Sequence, residues 1–360
     1  MKHLCSAIII MCFVFVFSSC AKNDDIVPEG YTSETGYTYG TFVVNEGTFN
    51  SVNGSITYFD PITGLATNDI FSANNSGAAL GDVAQSFSVA NGRGYIVLNN
   101  SKKIQVIDLK SFKSLAEIKN LSYPRYLYPV NENVAYVTNG NFAGKVYVID
   151  LKLNKVTDSV SVGKGPETMV KVSSSLYVAN SGGWDIDNTI SVIDLTTNKL
   201  KTTINCNVER PIEMVIDANQ NIWAICQGNF DWFTMTSSTD SRLVCINPST
   251  NTIIKSVVIG SKTDSYTPQR LAVSNDGRTL YYIEKNGLYK MDIDATVSPA
   301  TTMISGSFYG VDVNPANGTI YVFDAGDFAS AGKMSVYRPD GSLIYKDIKV
   351  GIVPSGASFN

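Results

Sequence analysis

Two short apolar motifs that alternate along the chain, once every 40 to 50 residues or so, constrain this sequence more than any other feature. The first is Tyr136-Val137-Thr138-Asn139. It returns as Phe42-Val43-Val44-Asn45, Tyr95-Ile96-Val97-Leu98-Asn99, Tyr177-Val178-Ala179-Asn180, Trp223-Ala224-Ile225-Cys226, Tyr282-Ile283-Glu284 and Tyr321-Val322-Phe323-Asp324. The second is Val146-Tyr147-Val148-Ile149-Asp150-Leu151, with copies at 56–60, 104–108, 190–194, 243–247, 288–292 and 334–338, so that each motif occurs seven times. A unit of this length with about four short strands cannot bury its apolar faces alone, but a ring of such units can, each blade covering its neighbours. The expected fold is all-β, a seven-bladed β-propeller over residues 40–360 as one domain.

The plan of a blade is plainest in residues 163–206. Gly163-Lys164-Gly165-Pro166 leads into a strand at 169–172, a tight Ser173-Ser174-Ser175 turn and a second strand at 176–179. After a variable loop come strands at 190–195 and 200–205, joined by Thr196-Thr197-Asn198-Lys199. Alternating β-branched and aromatic residues favour strand over helix throughout, and no segment reads as a helix. Residues 354–359 look like a first strand with no second strand after it, while the first unit begins at its second strand. The two ends are therefore predicted to complete one blade, which removes the open sheet edges of a linear array.

Hydrophobic residues at 44% and aromatics at 11% are ample for a packed core, and charged residues at 17% are too few for a disordered chain. A formal net charge of −4 with no basic stripe argues against nucleic acid. His3 is the single histidine, and it lies in a segment expected to be removed. A mature chain without histidine excludes Ser-His-Asp and Cys-His catalysis, His-ligated zinc and the usual proton shuttle near neutral pH. No cofactor motif is present.

Residues 1–19 have a basic start (Lys2, His3), an apolar run from Ala7 to Phe17 and small residues before Cys20, the layout of a secretory signal peptide. The apolar run is shorter than the roughly 20 residues of a spanning helix. Phe17-Ser18-Ser19-Cys20 resembles a lipobox with Phe in place of the usual Leu, which implies lipidation of Cys20. Asp24 and Asp25 shortly after it resemble the surface-export signal of Bacteroidetes lipoproteins, so the expected location is the outer membrane, lipid-anchored and exposed. Residues 20–39, polar and carrying Pro28, Gly30 and Gly36, read as a flexible tether.

The two faces of the predicted propeller differ. On one, the turns are short and standard, as in Asn91-Gly92, Asn275-Asp276-Gly277 and Asp340-Gly341. On the other, loops vary in length and carry aromatics and amides, and irregular loops on a rigid scaffold are where recognition resides. The candidate ligand-binding residues from these loops are Phe49, Asn141, Phe142, Trp184, Asp185, Phe230, Trp232, Phe233 and Phe328. Entry loops opening on the same face add Tyr123, Arg125, Tyr126, Arg210, Tyr266, Gln269, Arg270 and Tyr309. Three aromatics within residues 230–233 of a polar insertion are hard to bury together, so the site is expected to centre there, with Phe142 and Trp184 across the central channel.

Asp185-Ile186-Asp187-Asn188 echoes the start of a calcium loop but lacks the downstream Gly and Glu, and turn capping is the simpler role. Glu46, Glu167, Glu213 and Asp327 would serve as paired acids and bases if the fold brought them together, though no spacing demands it. Cys206, Cys226 and Cys245 read as buried hydrophobes; a Cys226–Cys245 cross-strand bond is the alternative, leaving Cys206 odd.

The Tyr-Val-x-Asn and Val-Ile-Asp-Leu repeats resemble the YVTN-type seven-bladed propeller superfamily. Together with the lipoprotein leader and the aromatic-amide loops, the chain is similar to the surface propeller lipoproteins of Bacteroidetes of the BtuG family. That resemblance implies a protein that is not an enzyme, capture of cobalamin or a related corrinoid, and delivery to a TonB-dependent outer-membrane transporter. A corrinoid, broad-faced and ringed by amide arms, calls for aromatic contact plus Asn, Gln, Tyr and Arg partners. Without histidine, recognition would rest on shape and hydrogen bonds rather than imidazole on cobalt. A surface propeller binding a glycan or protein partner is the alternative, and a lactonase or lyase on this fold is weakened by the missing histidine.

Overall fold

The computed structural model describes residues 36–360 apart from 38, 232, 265 and 266. Seven four-stranded antiparallel sheets are arranged as a propeller. Blade 2 is made of Ala84–Ala90, Arg93–Leu98, Lys103–Asp108 and Ser114–Ile118. Blades 3 to 7 repeat the pattern, their innermost strands being Pro124–Pro129, Pro166–Val172, Pro211–Ile216, Leu271–Val273 and Gly310–Val313. Blade 1 is composite: Thr41–Asn45, Ser55–Asp60 and Leu65–Thr67 are joined by Pro354–Phe359, which pairs antiparallel with Thr41–Asn45 from Thr41↔Phe359 to Asn45↔Pro354. The expected closure by both termini is thus observed. The expected lipoprotein leader, including Cys20, and nearly all of the expected tether lie outside the described residues.

The repeat is explained by where its residues fall. Phe42, Tyr95, Tyr136, Tyr177, Trp223, Tyr282 and Tyr321, the leading aromatics of the seven first motifs, are all fully buried. Each belongs to an apolar cluster shared with an adjacent blade, and seven such clusters make the core. Filling an aromatic-sized space at every interface is what holds the ring, since burial of such side chains contributes about 2 kcal/mol or more each. The motif's polar ends are structural too. Asn45 Nδ2 donates to Thr57 Oγ1 at 3.0 Å, Asn180 Nδ2 donates to Ser191 Oγ at 3.0 Å, and Asn99 Nδ2 donates to the Pro124 carbonyl at 3.0 Å. The acid closing the second motif caps the next turn: the Oδ1 atoms of Asp60, Asp108, Asp150 and Asp194 accept from the backbone amides of Ile62, Ser111, Lys152 and Thr196, each at 2.8 Å. Asn91 and Gly92 both have positive φ, 53° and 69°, as a two-residue hairpin turn of that sequence requires.

Side chains also stitch the innermost strands to one another around the channel. Ser86 and Ser88 Oγ donate to the Arg125 and Leu127 carbonyls at 2.8 and 2.7 Å, Thr168 Oγ1 donates to the Ile212 carbonyl at 3.1 Å, and Glu213 Oε2 accepts from the Leu271 amide at 2.8 Å. Asp312 Oδ2 accepts from the Ala357 amide at 2.7 Å and so ties blade 7 to the closing strand.

One expectation needs correction, that no segment is helical, while of the two readings of the cysteines the structure has the buried hydrophobes. A five-residue helix, Ile70–Asn74, is present between blades 1 and 2. Ile70 and Phe71 are buried against the blade 1–2 cluster, and Asp69 caps the helix by accepting from the Ser72 amide at 3.4 Å. Five residues are too few for a helical period to stand out in sequence. The Cys226–Cys245 bond is not formed: all three described cysteines are free and buried, and Cys226 opposes Arg242 while Cys245 opposes Trp223. Cys206 and Cys226 pack in the blade 4–5 cluster and Cys245 in the blade 5–6 cluster, on opposite faces of one sheet. Among the described residues no helix is long and apolar enough to cross a membrane.

Candidate functional site

The side chains of the channel wall are set by local irregularity in the innermost strands. The pairing of the innermost strand with the next slips near its start in blades 1 to 5, as between Pro124 and Leu127 and between Pro166 and Met169. A bulge of this kind re-aims the residue beside it. In this way Gln85, Arg125 and Glu167 reach one cavity of 680 Å³ at the mouth of the channel, joined by Glu46, Tyr126, Arg210, Glu213, Gln227, Gln269, Arg270 and Tyr309. The rim is aromatic, with Phe49 and Phe328 half or more exposed and Trp184 87% exposed. The Tyr309 and Phe328 rings meet edge to face at 5.1 Å between centroids.

Nine of the expected ligand residues therefore converge: Phe49, Arg125, Tyr126, Trp184, Arg210, Gln269, Arg270, Tyr309 and Phe328. A second depression of 480 Å³ lies beside the first, between Trp184, Asp185, Arg210 and the hairpin Phe230–Asp231/Thr236–Ser237. Trp184 and Arg210 line both, so the two depressions adjoin. Arg210 Nη1 donates to the Gly183 carbonyl at 3.3 Å, and Asp185 pairs with Lys164 at 2.5 Å.

The expected centre of the site shifts. Phe230 is 2% exposed and is the packed base of its hairpin, whereas Phe233 is 98% exposed at the tip and outside both depressions. Trp184 is the hairpin's neighbour rather than its opposite across the channel. Phe142 and Tyr123 are exposed but do not line either depression, and Asn141 serves its loop, its carbonyl accepting from the Gly144 and Gly165 amides. Trp232 and Tyr266 lie outside the described residues. Asp187 caps its own turn, Oδ1 accepting from the Asn188 and Thr189 amides at 2.7 and 3.0 Å. Among the described residues no group of three His, Cys, Asp or Glu is placed to hold a metal.

Three of the four carboxylates weighed from sequence, Glu46, Glu167 and Glu213, do meet at the channel, and Asp327 instead caps an exposed loop turn. Asp312 and Gln85, which the sequence did not single out, join them. The signal for Gln85 was positional, since like Arg125 and Glu167 it is the second residue of its innermost strand; Asp312, the third residue of Gly310–Val313, had no such signal. Arg125 is held tightly, Nε donating to Glu167 Oε2 at 2.9 Å with Nη2 also 2.9 Å from that oxygen and Nη1 donating to Gln85 Oε1. Burial opposes its charge, but Glu167 beside it keeps the guanidinium ionised. Arg270 is held loosely. Its Nε is 3.4 Å from the Tyr309 carbonyl, its Nη1 3.4 Å from the Tyr126 hydroxyl and its Nη2 4.0 Å from Glu46 Oε1. Burial raises the pKa of Glu46 and of Glu213, opposed in both by Arg270. Burial, then the nearby Glu213, pushes Asp312 up to about 7. Below the mouth a smaller cavity of 200 Å³ continues down the channel past Asp312.

A 570 Å³ depression opens on the opposite face between turns of blades 5 and 6. Its central acid, Asp217, is already saturated by the Asn219 and Asn221 amides and by Trp223 Nε1 at 3.0 Å, so it reads as structure.

Comparison with solved structures places the fold in known company. A quinonprotein alcohol dehydrogenase-like protein from Bacteroides thetaiotaomicron superposes with a TM-score of 0.67 at 16% identity, covering 91% of this chain and 79% of that one. A putative 6-phosphogluconolactonase from Bacteroides fragilis gives 0.66 at 13% identity, covering 92% and 100%. Hydrazine synthase from Kuenenia stuttgartiensis gives 0.54 at 16%, covering 74% and 84%. At these identities the likeness is one of fold alone. No curated protein sequence matches the chain. The model of one family does, across residues 39–343 and thus nearly the whole propeller, and the chain therefore belongs to the family described as a domain of unknown function, DUF5074.

Proposed function

We propose that this protein is a cell-surface binding lipoprotein rather than an enzyme, anchored to the outer membrane through Cys20, and that it captures cobalamin or a related corrinoid for a TonB-dependent transporter. The observation that carries the reading is the pair of adjoining depressions on the irregular face, rimmed by exposed Trp184, Phe49 and Phe328 and floored by amides, arginines and glutamates. A broad ligand ringed with amide arms matches that combination: aromatic faces for its body, polar side chains for its periphery. The carboxylates suit a binding floor better than acid–base chemistry. Glu167 is bound to Arg125, and Glu213 and Asp312 each accept a backbone amide.

Calorimetry with cyanocobalamin beside a panel of neutral glycans tests the reading directly. Tight binding of the corrinoid is expected, with Trp184→Ala weakening it by about thirtyfold, since loss of a buried interface anchor costs about 2 kcal/mol. Asn275→Ala, on the opposite face, should leave affinity unchanged. Folded protein that takes up a glycan and no corrinoid would put the alternative, a glycan-binding surface propeller, in its place.

A further inference from the structure

The waist between the mouth cavity and the deeper channel is lined from both sides by Gln85, Tyr126, Glu213 and Arg270. Two features of this waist are incomplete. Arg270 has five N–H donors, yet its polar contacts stand at 3.4, 3.4 and 4.0 Å, at or beyond the outer limit of a useful hydrogen bond. Its side chain is only 17% exposed, so solvent access to those donors is restricted and runs through the cavity. The contrast with Arg125, fixed by Glu167 at 2.9 Å, shows that loose contacts are not a general property of this wall. The second feature is acceptor capacity: Glu213 uses Oε2 for the Leu271 amide, and Glu46 receives the Tyr309 hydroxyl at 3.2 Å on Oε2, while its Oε1 lies 4.0 Å from Arg270.

A ligand group that completes both must accept from a guanidinium and donate to a carboxylate. Charge narrows the choice. Of the three arginines that line the cavities, Arg125 is committed to Glu167 and Arg210 answers to Asp185, which leaves Arg270 facing Glu46, Glu213 and Asp312. An anionic group would therefore meet excess negative charge, and a cationic one would meet Arg270 at the same point. A neutral group carrying an acceptor and a donor side by side fits. We propose that the waist is a primary-carboxamide subsite, in which Arg270 donates to the amide oxygen and Glu213 or Glu46 accepts from the amide N–H of one arm of the ligand seated above. This rests on the corrinoid reading, because an amide-bearing arm must be delivered from a body held at the rim.

The test is calorimetry of the full chain with cyanocobalamin and with its monocarboxylic derivatives, each having one amide arm hydrolysed to a carboxylate. At least one derivative should bind about tenfold or more weakly than the parent at pH 8, the loss of a hydrogen bond to a charged group. In Glu213→Gln and Glu46→Gln proteins, checked for folding by thermal melting, that discrimination should shrink, because the repelling carboxylate has become an amide. Arg270→Lys, which keeps the charge but not the directed donors, should weaken the parent and narrow the gap. If every monocarboxylic derivative binds like cyanocobalamin, the subsite is wrong and corrinoid capture stands. If neither parent nor derivative binds the folded protein, the functional reading falls and the subsite falls with it.

Discussion

Asp312 offers the sharpest test of the electrostatics in this channel. Its carboxylate accepts the Ala357 amide at 2.7 Å, but burial and the neighbouring Glu213 lift its pKa to about 7, from the ordinary aspartate value near 3.9. The unfolded chain gives up this proton near pH 4, whereas the folded protein keeps it until about pH 7. Below about pH 4 the group is protonated in both states and contributes no difference. Between about pH 4 and 7 the folded protein binds the extra proton, so stability falls as pH rises; above about pH 7 the cost is complete. A shift of that size corresponds to about 4 kcal/mol, at roughly 1.4 kcal/mol per pH unit, and water entering along the channel lowers shift and cost together, toward ~2 kcal/mol. Asp312→Asn keeps an oxygen for the Ala357 amide and removes the charge. Guanidinium unfolding followed by tryptophan fluorescence should therefore show variant and parent alike near pH 3.5, and the variant more stable by about 2 to 4 kcal/mol at pH 8. Glu46 and Glu213, whose pKa values are also raised by burial, bend both curves in the same sense and largely cancel in the difference. A variant that is less stable at pH 8 would refute the reasoning, since the charged hydrogen bond to Ala357 would then outweigh burial.

Arg125→Ala should destabilise the fold by about 3 kcal/mol or more, because Glu167 is left buried and uncompensated, and adding Glu167→Ala should recover part of the loss. Thermal melts in which the double variant is no better than the single would show that the pair is not coupled. Removing residues 353–360 leaves Thr41–Asn45 with an open edge and uncovers Tyr321, against which Phe359 packs at 5.1 Å, so the truncated chain should aggregate or lose its cooperative melt. A monomeric truncated protein with an unchanged melting temperature would sink the closure argument. Cys20→Ala should move the protein from the membrane fraction to the soluble fraction, and retention in the membrane would remove the lipid anchor from the proposal.

The number of blades, their strands and the joining of the two ends were all readable in advance, because they rest on local, repeated chemistry. Buried aromatics pack at the blade interfaces, an acid ending the third strand caps a turn in blades 1 to 4, and seven copies of the motifs leave little freedom in how they stack. The recognition face was readable for a related reason: turns that only reverse a chain use standard residues, and loops that do more depart from them. What residues 230–233 would do was not readable, since a two-residue strand pairing in Phe230–Asp231/Thr236–Ser237 turns Phe230 inward and leaves Phe233 exposed, a choice made by tertiary contact. The channel floor was only partly legible: Arg270, Glu46 and Glu213 stood out as residues, but their meeting with Asp312 did not. Glu46, Glu213, Arg270 and Asp312 are spread over 267 residues of chain, from Glu46 to Asp312, and come together only because ring closure brings the innermost strands of blades 5, 6 and 7 and the loop after Thr41–Asn45 to one axis. Sequence alone determined the ring, through periodic side chains that each answer to a near neighbour. Tertiary structure alone decided which charges meet inside it, because burial and Coulomb interaction depend on distances across the channel that no local pattern encodes.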